Sequence, residues 1–432
     1  MTRLDNHSRD VLSGAALAFG LRVIGAGLAF ILNVVAARLL GAEGAGLYFL
    51  ALSITMVGSV VARMGMESSL LRFVSSRAAK GDWGEVKGVF LLGARLAGCT
   101  SLVLAVICAV SAEWLAESVF DEPKLAEPLK WASFGIVTFS IQLIVAESLK
   151  GIKRVRDSML VSSVLYPLIA LLFIWPSVAF MGAAGANFSY VASTAIASLV
   201  GLLAWFRVTG KQSDKASEFP LSLLWKSCRS MWVATIVNRA VIVWGPLLLL
   251  GIWSTTEDVG VFGAVTRIST LISFFLLSIN TVLAPKIAEF HHRGDNKNLA
   301  RLATRFALMA TVAASPMFIL LIGYGNWVMG TFGSDFERGG FALAILSIGQ
   351  VVSSLTGIAP YVLTISGHET DLRNASLISA LVLVVLFVAL VPLYGINGAA
   401  VATSVATSLA CILNVYHVKR RVGVLLVPFL GR

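Results

Sequence analysis

Charge is what this chain has least of. Charged residues fill 13% of its 432 positions, about half the share found in soluble globular proteins. Mean hydropathy is +0.85, so a water-soluble globular domain is excluded. Cysteine is sparse, with four residues: Cys99, Cys108, Cys228 and Cys411. They show no Cys-x-x-Cys spacing, which argues against a thiolate metal site and leaves small buried hydrophobes as the reading. The five histidines (His7, His291, His292, His368 and His417) are scattered over connections and ends, and the adjacent pair His291-His292 makes a poor zinc site. A Gly-rich phosphate loop of the Walker type is missing too, so nothing here hydrolyses ATP. No connection is long enough for a soluble domain, and no cofactor is implied.

What the chain does have is apolar runs of about 20 residues or more, each long enough to cross the hydrocarbon core as helix. Hydrophobic residues make up 57% of the sequence. We expect spans centred near Ala26, Thr55, Ser101, Ile141, Ala170, Thr194, Trp244, Phe274, Val312, Gln350, Val384 and Ala406. With the even-numbered connections and both termini taken as one side, that side holds 27 of the 34 Lys and Arg, against four in the odd connections. This positive-inside bias places both ends in the cytoplasm. The net charge of +11 therefore faces anionic lipid rather than nucleic acid. The polar stretch Met1–Asp10 precedes a run too long for a signal-peptide core, so the first span is expected to stay as an anchor. Two connections, Glu113–Ala132 outside and Leu71–Val86 inside, mix apolar and charged residues and are expected to lie on the membrane surface.

The sequence also repeats itself. Leu40-Gly41-Ala42-Glu43-Gly44-Ala45-Gly46-Leu47-Tyr48 returns as Ser254-Thr255-Thr256-Glu257-Asp258-Val259-Gly260-Val261-Phe262, 214 positions on. Ala79-Lys80-Gly81-Asp82 returns as His292-Arg293-Gly294-Asp295, and Gly182-Ala183-Ala184-Gly185-Ala186 as Gly395-Ile396-Asn397-Gly398-Ala399, each 213 on. The expected fold is an all-α polytopic membrane protein: twelve transmembrane helices in two six-helix lobes, 1–206 and 229–432, joined by a cytoplasmic linker over 207–228. An even number of spans per copy puts the pseudo-twofold axis along the membrane normal, with a V shape and a central cavity. Gly245-Pro246, near the middle of span 7, and Gly25 with Gly27 in span 1 mark soft points of the two copies.

Ionisable residues inside spans are costly and hence candidates for function. Here they are of one sign. Arg22 lies near the middle of span 1, Arg239 at a corresponding depth of span 7 with Asn238 beside it, Arg267 in span 8 and Arg95 in span 3. All ten aspartates fall in connections or at span ends, and the carboxylates nearest the hydrocarbon are Glu67, Glu147 and Glu289. Arg22, Gly25, Ala26, Ala29 and Asn33 share one helical face, as do Arg267, Thr270, Ser278 and Thr281. Guanidinium groups hold phosphate with two parallel charge-assisted bonds, so Arg22, Arg239, Arg267, Asn33 and Asn238 are candidates to bind an anionic head group. Arg95 is also compatible with snorkelling, and Arg63 with Glu67, four apart, with simply pairing.

Several motifs match a known family: Leu39-Leu40-Gly41-Ala42-Glu43-Gly44-Ala45-Gly46-Leu47-Tyr48, Arg72-Phe73-Val74 with Ala79-Lys80-Gly81-Asp82, Glu147-Ser148-Leu149-Lys150-Gly151, Val259-Gly260-Val261-Phe262-Gly263-Ala264 and Phe332-Gly333-Ser334-Asp335-Phe336. Together they resemble the polysaccharide-export branch of the multidrug/oligosaccharidyl-lipid/polysaccharide (MOP) flippase superfamily, over the whole chain. The resemblance implies alternating-access transport of a polyprenyl-pyrophosphate-linked oligosaccharide from the cytoplasmic to the outer leaflet of a bacterial inner membrane, with the pyrophosphate in a cationic cavity. It implies membrane lipids, a polysaccharide polymerase and glycosyltransferases as partners. An ion gradient would be read through Glu67, Glu147 or His368. Two other readings stay open: an ion-coupled multidrug exporter, which would need the deep carboxylate that is missing here, and a membrane-embedded sugar polymerase or acyltransferase, which would need a large outer loop.

Overall fold

The computed structural model describes the backbone of residues 6–212, 215–293, 295–424 and 426, and their side chains except those of 6–16, 230, 273–286, 288, 291–292 and 296–297. Among the described residues, every regular element is a helix. The principal ones are α1 (Asn6–Arg63), α2 (Met66–Lys80), α3 (Trp83–Val110), α4 (Ala126–Gly151), α5 (Tyr166–Thr209), α6 (Leu221–Thr235), α7 (Gly245–Trp253), α8 (Thr256–His292), α9 (Asn296–Gly323), α10 (Gly340–Thr356), α11 (Ala359–Ile365) and α12 (Glu369–Val422).

Eight helical stretches among the described residues are long and apolar enough to cross a bilayer. Many of their large side chains face outward, Phe180 at 87% and Leu172 at 71% exposure among them. Outward apolar surface on this scale needs lipid around it, and the chain is a multi-pass membrane protein.

Three stretches are far longer than one crossing needs: Leu17–Arg63 at 47 residues, Val155–Thr209 at 55 and Glu369–Val422 at 54. Each is broken at a single glycine with non-helical backbone: Gly41 (φ 67°, ψ −177°), Gly182 (φ 55°, ψ −132°) and Gly395 (φ 50°, ψ −127°). A Cβ penalises such positive φ, which is why glycine sits at these points. Gly182 and Gly395 are the repeated pair. Three residues past each, Gly185 lies against the Ser177 carbonyl and Gly398 against the Leu390 carbonyl. Residues eight apart in a straight helix are separated by about 12 Å, so both contacts mean that the chain doubles back at the break. The repeat in sequence is a repeat in local geometry.

The chain forms two compact units, Met1–Leu40 with Leu47–Ala240, and Gly41–Gly46 with Val241–Arg432. In the first, α4 packs against α3 and α5, and α2 lies across α3 and α4. Its core holds Leu70, Val74, Phe90, Ile144, Leu149 and Trp205, with the Phe90 and Trp205 rings 4.3 Å apart. Val74, expected on a surface helix, is thus buried in protein.

The polar stretch before α6 is pinned to this unit. Ser217 N–H donates to the Gly84 carbonyl at 3.0 Å, Lys87 Nζ to the Gln212 carbonyl at 2.9 Å, and the Phe219 ring packs tilted against Phe73, 5.3 Å between centres. Helix α6 docks on α2 through Ser69 and Ser227, whose hydroxyls are 2.7 Å apart.

In the second unit, α10 packs against α9 and α12. The core at one end gathers Leu299, Ala303, Leu363, Val418 and Val422. Near it, Arg421 Nε donates to the buried Asp371 carboxylate at 2.8 Å, tying the end of α12 to its start. Within this unit the repeated glycine motif meets its own copy: Gly46 lies against the Thr256 carbonyl and Gly260 against the Ala42 carbonyl.

Candidate functional site

Charge is buried in the first unit where α1 ends. Helix α1 stops at Arg63, and two residues with left-handed backbone follow, Met64 (φ 47°) and Gly65 (φ 74°). The chain therefore changes direction before α2 begins at Met66. That bend carries Glu67 back over Arg63, whose Nε donates to Glu67 Oε1. Arg63 is 2% exposed. Its guanidinium lies 5.4 Å from the centre of the Phe139 ring, an arrangement in which the ring's negative face attracts the cation.

Two polar atoms in this region have no hydrogen-bond partner, Arg63 Nη1 and Tyr190 Oη. Tyr190 is buried, edge-on to Tyr166 at 6.0 Å and 6.3 Å from Phe139. Buried polar atoms left without partners cost about 1–3 kcal/mol each, so each calls for a bound water, an ion or a functional role.

The second arginine of the cluster is Arg239. It lies in a wide, π-type helical stretch, Ile236–Trp244, that joins α6 to α7. Pro246, in the first turn of α7, has no N–H to donate, so the ordinary hydrogen-bond ladder is interrupted there. Wide turns of this kind recur at functional sites. Arg239 is exposed, yet close enough to Arg63 and Glu67 for their charges to interact. Lys150 also reaches Glu67 electrostatically, while its Nζ donates to Glu147 at 2.6 Å. Arg63 with Glu67 and Lys150 with Glu147 make two neutral pairs. Among the described residues no ion pair is recorded for Arg239, so the cluster as a whole is cationic.

The remaining candidates are dispersed. Arg22 is exposed on α1, one turn before Gly25, which is buried against the Ser163 backbone. Asn33 Nδ2 donates to the Ala29 carbonyl at 2.6 Å and Asn238 Nδ2 to the Ala234 carbonyl at 2.9 Å, both one turn back in their own helices. Arg267, in the second unit, donates from Nη1 to the Gly263 carbonyl at 2.8 Å. The side chains of Ser278 and Thr281, expected on its stripe, lie outside the described residues. His368 precedes α12, with Nδ1 3.2 Å from Ser366 Oγ.

Arg239 and Glu67 are thus brought together in the first unit, with Glu147 linked to them through Lys150. Arg63, Phe139 and Tyr190 complete the group. Sequence reasoning placed Arg63 at a span end and gave it no site role. The missed signal was Met64-Gly65, a break that turns a terminal arginine inward.

A sequence profile described as "Polysaccharide biosynthesis protein" matches residues 11–291. A probable low-salt glycan biosynthesis flippase, Agl15, from Haloferax volcanii is 20% identical over 423 residues, covering 96% of this chain and 85% of the relative. Stage V sporulation protein B of Bacillus subtilis is 23% identical over 304 residues, 64% of this chain and 58% of the relative. Among solved structures, the lipid II flippase MurJ in an inward closed conformation superposes with a TM-score of 0.75 at 15% identity, over 94% of this chain and 87% of that one. An inward-facing multidrug resistance MATE family transporter of the MOP superfamily gives 0.72 at 14% identity, over 91% and 98%. At such identities the likeness is one of fold.

Proposed function

The chain belongs to the polysaccharide biosynthesis protein family, and we propose that within it the protein flips a polyprenyl-pyrophosphate-linked oligosaccharide from the cytoplasmic to the outer leaflet of a bacterial inner membrane. The observation that carries this reading is the sign of the charge in its transmembrane part. The first unit holds a cationic cluster in which both carboxylates are already paired, and Arg22 and Arg239 are exposed on spanning helices. An exporter of cations needs a carboxylate available to exchange one for another. A carrier of pyrophosphate needs guanidinium groups instead.

In this reading Arg22 and Arg239, with Arg267, Asn33 and Asn238, receive the head group. Glu67, Glu147 and His368 are the candidates for coupling to an ion gradient. Twelve spans fit the protein if the three glycine-broken helices each cross twice and α8 crosses once beside the five other candidate spans. Both termini are then cytoplasmic, the lobes are 1–206 and 229–432 with 207–228 between them, and access alternates between the two sides. Glycosyltransferases would supply the substrate and a polysaccharide polymerase would consume the product.

The test is export of surface polysaccharide in a strain carrying Arg22→Ala or Arg239→Ala. Each variant is expected to abolish export while the protein stays in the membrane at wild-type level. Unchanged export in both, or proton-driven efflux of a cationic drug by the purified protein, would overturn the proposal.

A further inference from the structure

The end of α1, the middle of α3 and the C-terminal half of α6 enclose an apolar groove of about 330 Å³, lined by Val61, Met64, Cys99, Val103, Leu104 and Trp232. It owes its shape to the same break that buries Arg63. Gly65 has no Cβ, and the Cys228 carbonyl and Trp232 backbone of α6 press into the space one would fill. Thr100 also lines the groove, but its hydroxyl is taken up 2.7 Å from the Ala62 and Leu96 carbonyls. The side of the groove opens outward, since Val103 is 58% exposed.

Along the chain, cationic residues flank those that line this apolar slot. Trp225, Arg229 and Trp232 stand at i, i+4 and i+7, one stripe of α6, with the two indole rings 6.3 Å apart. Arg229 and the neighbouring Lys226 are exposed. Seven residues beyond Trp232 comes Arg239, and Met64 in the groove wall adjoins Arg63. A molecule drawn to this place combines one hydrocarbon chain with an anionic group attached directly to its end.

We propose that the groove holds the phosphate-proximal isoprene units of the substrate's polyprenyl tail, so that the pyrophosphate is presented between Arg229 and Arg239. The proposal rests on the flippase reading and adds a place for the tail. One slot suits one chain, as a polyprenyl carrier has, better than the paired acyl chains of a phospholipid. Its volume receives a short stretch only, and the rest of the tail lies in the bilayer. The indole of Trp232, apolar in body with an Nε1 that has no protein partner, suits the level where tail meets head group.

The experiment uses the full-length protein in phosphatidylcholine nanodiscs with a polyprenyl pyrophosphate carrying a diazirine next to the phosphate. After illumination, adducts are expected on residues 61–64, 99–104 and 232. Excess unlabelled polyprenyl pyrophosphate should compete them away, and phosphatidylglycerol should not. Val103→Trp fills the groove and denies the chain several buried CH2 groups, so labelling should fall about tenfold or more, with the wild-type adduct map standing independently of how well that variant folds. Adducts confined to other segments, equal competition by phosphatidylglycerol, or undiminished labelling of a folded Val103→Trp would overturn the groove. The flippase reading is judged separately by export in Arg239→Ala: loss of export with adducts elsewhere leaves it standing, and no specific labelling anywhere removes both.

Discussion

Arg63 and Glu67 form an ion pair across a helix break, one residue closing α1 and the other opening α2. The pair stands four residues apart, as on a continuous helix, but Met64 and Gly65 between them are left-handed. The bend buries the arginine almost completely and leaves Glu67 the more accessible partner, at 21% side-chain exposure. Glu67→Gln therefore leaves a buried guanidinium without its counter-ion, at a cost of about 3–5 kcal/mol. Thermal unfolding in detergent should show a large loss. Arg63→Met with Glu67→Gln, which removes both charges, should recover most of it. Equal stability of the single variant and the wild type would remove the pair from any structural role.

In the second unit Gly46 and Gly260 occupy equivalent places in a reciprocal contact, each facing a backbone carbonyl of the other motif copy. A carbonyl cannot move aside as a side-chain tip can. Gly46→Val or Gly260→Val should each cost about 1–3 kcal/mol through overpacking, seen as a fall in the amount of folded protein in the membrane. Because the two positions share one contact, the double variant should cost less than the sum of the singles. Strict additivity would show the contact to be unimportant.

Asp295 caps α9, accepting from the Asn298 side chain at 2.6 Å and from its backbone N–H at 3.1 Å. These hydrogen bonds, from the side chain first and then the backbone, hold its carboxyl below the usual carboxylate range. A lowered folded-state pKa means that the stabilisation is complete above the unfolded value, about 3.9, and is lost as pH falls through the folded one. Hydrogen exchange at the Asn298 amide should therefore quicken as pH falls below about 4, after correction for intrinsic rates. Asp295→Asn should flatten that dependence. Protection that is the same at pH 7 and at acid pH would rule out the cap.

Asp121 and Lys215 are exposed and lie in connections assigned to opposite sides of the membrane. With the four native cysteines replaced, Asp121→Cys should react with an impermeant thiol reagent in intact cells, and Lys215→Cys only after lysis. Labelling of Lys215→Cys in intact cells would reverse the topology.

Much of the fold was legible because its causes are local. A run of about 20 apolar residues is a span wherever it occurs. The repeated glycines Gly182 and Gly395 mark chain reversals because only a residue without Cβ accepts their backbone. How the stretch before α6 is held was not legible, for the opposite reason. Its polar composition is that of a loop, but Phe219 and the Ser217 N–H tie it to the first unit.

Composition, span order and the sign of the charge within the membrane were decided by the sequence alone, since lipid imposes the same cost on a residue type in any fold. Which arginine is buried, and by what, was decided only in three dimensions. Arg63 reaches Phe139 and the neighbourhood of Tyr190 because a two-residue bend turns it inward, and Trp232 lines one groove with Val61 and Val103 because Gly65 lets α6 lie close. These contacts join residues up to about 170 positions apart, and no local pattern specifies which distant surfaces will pack together.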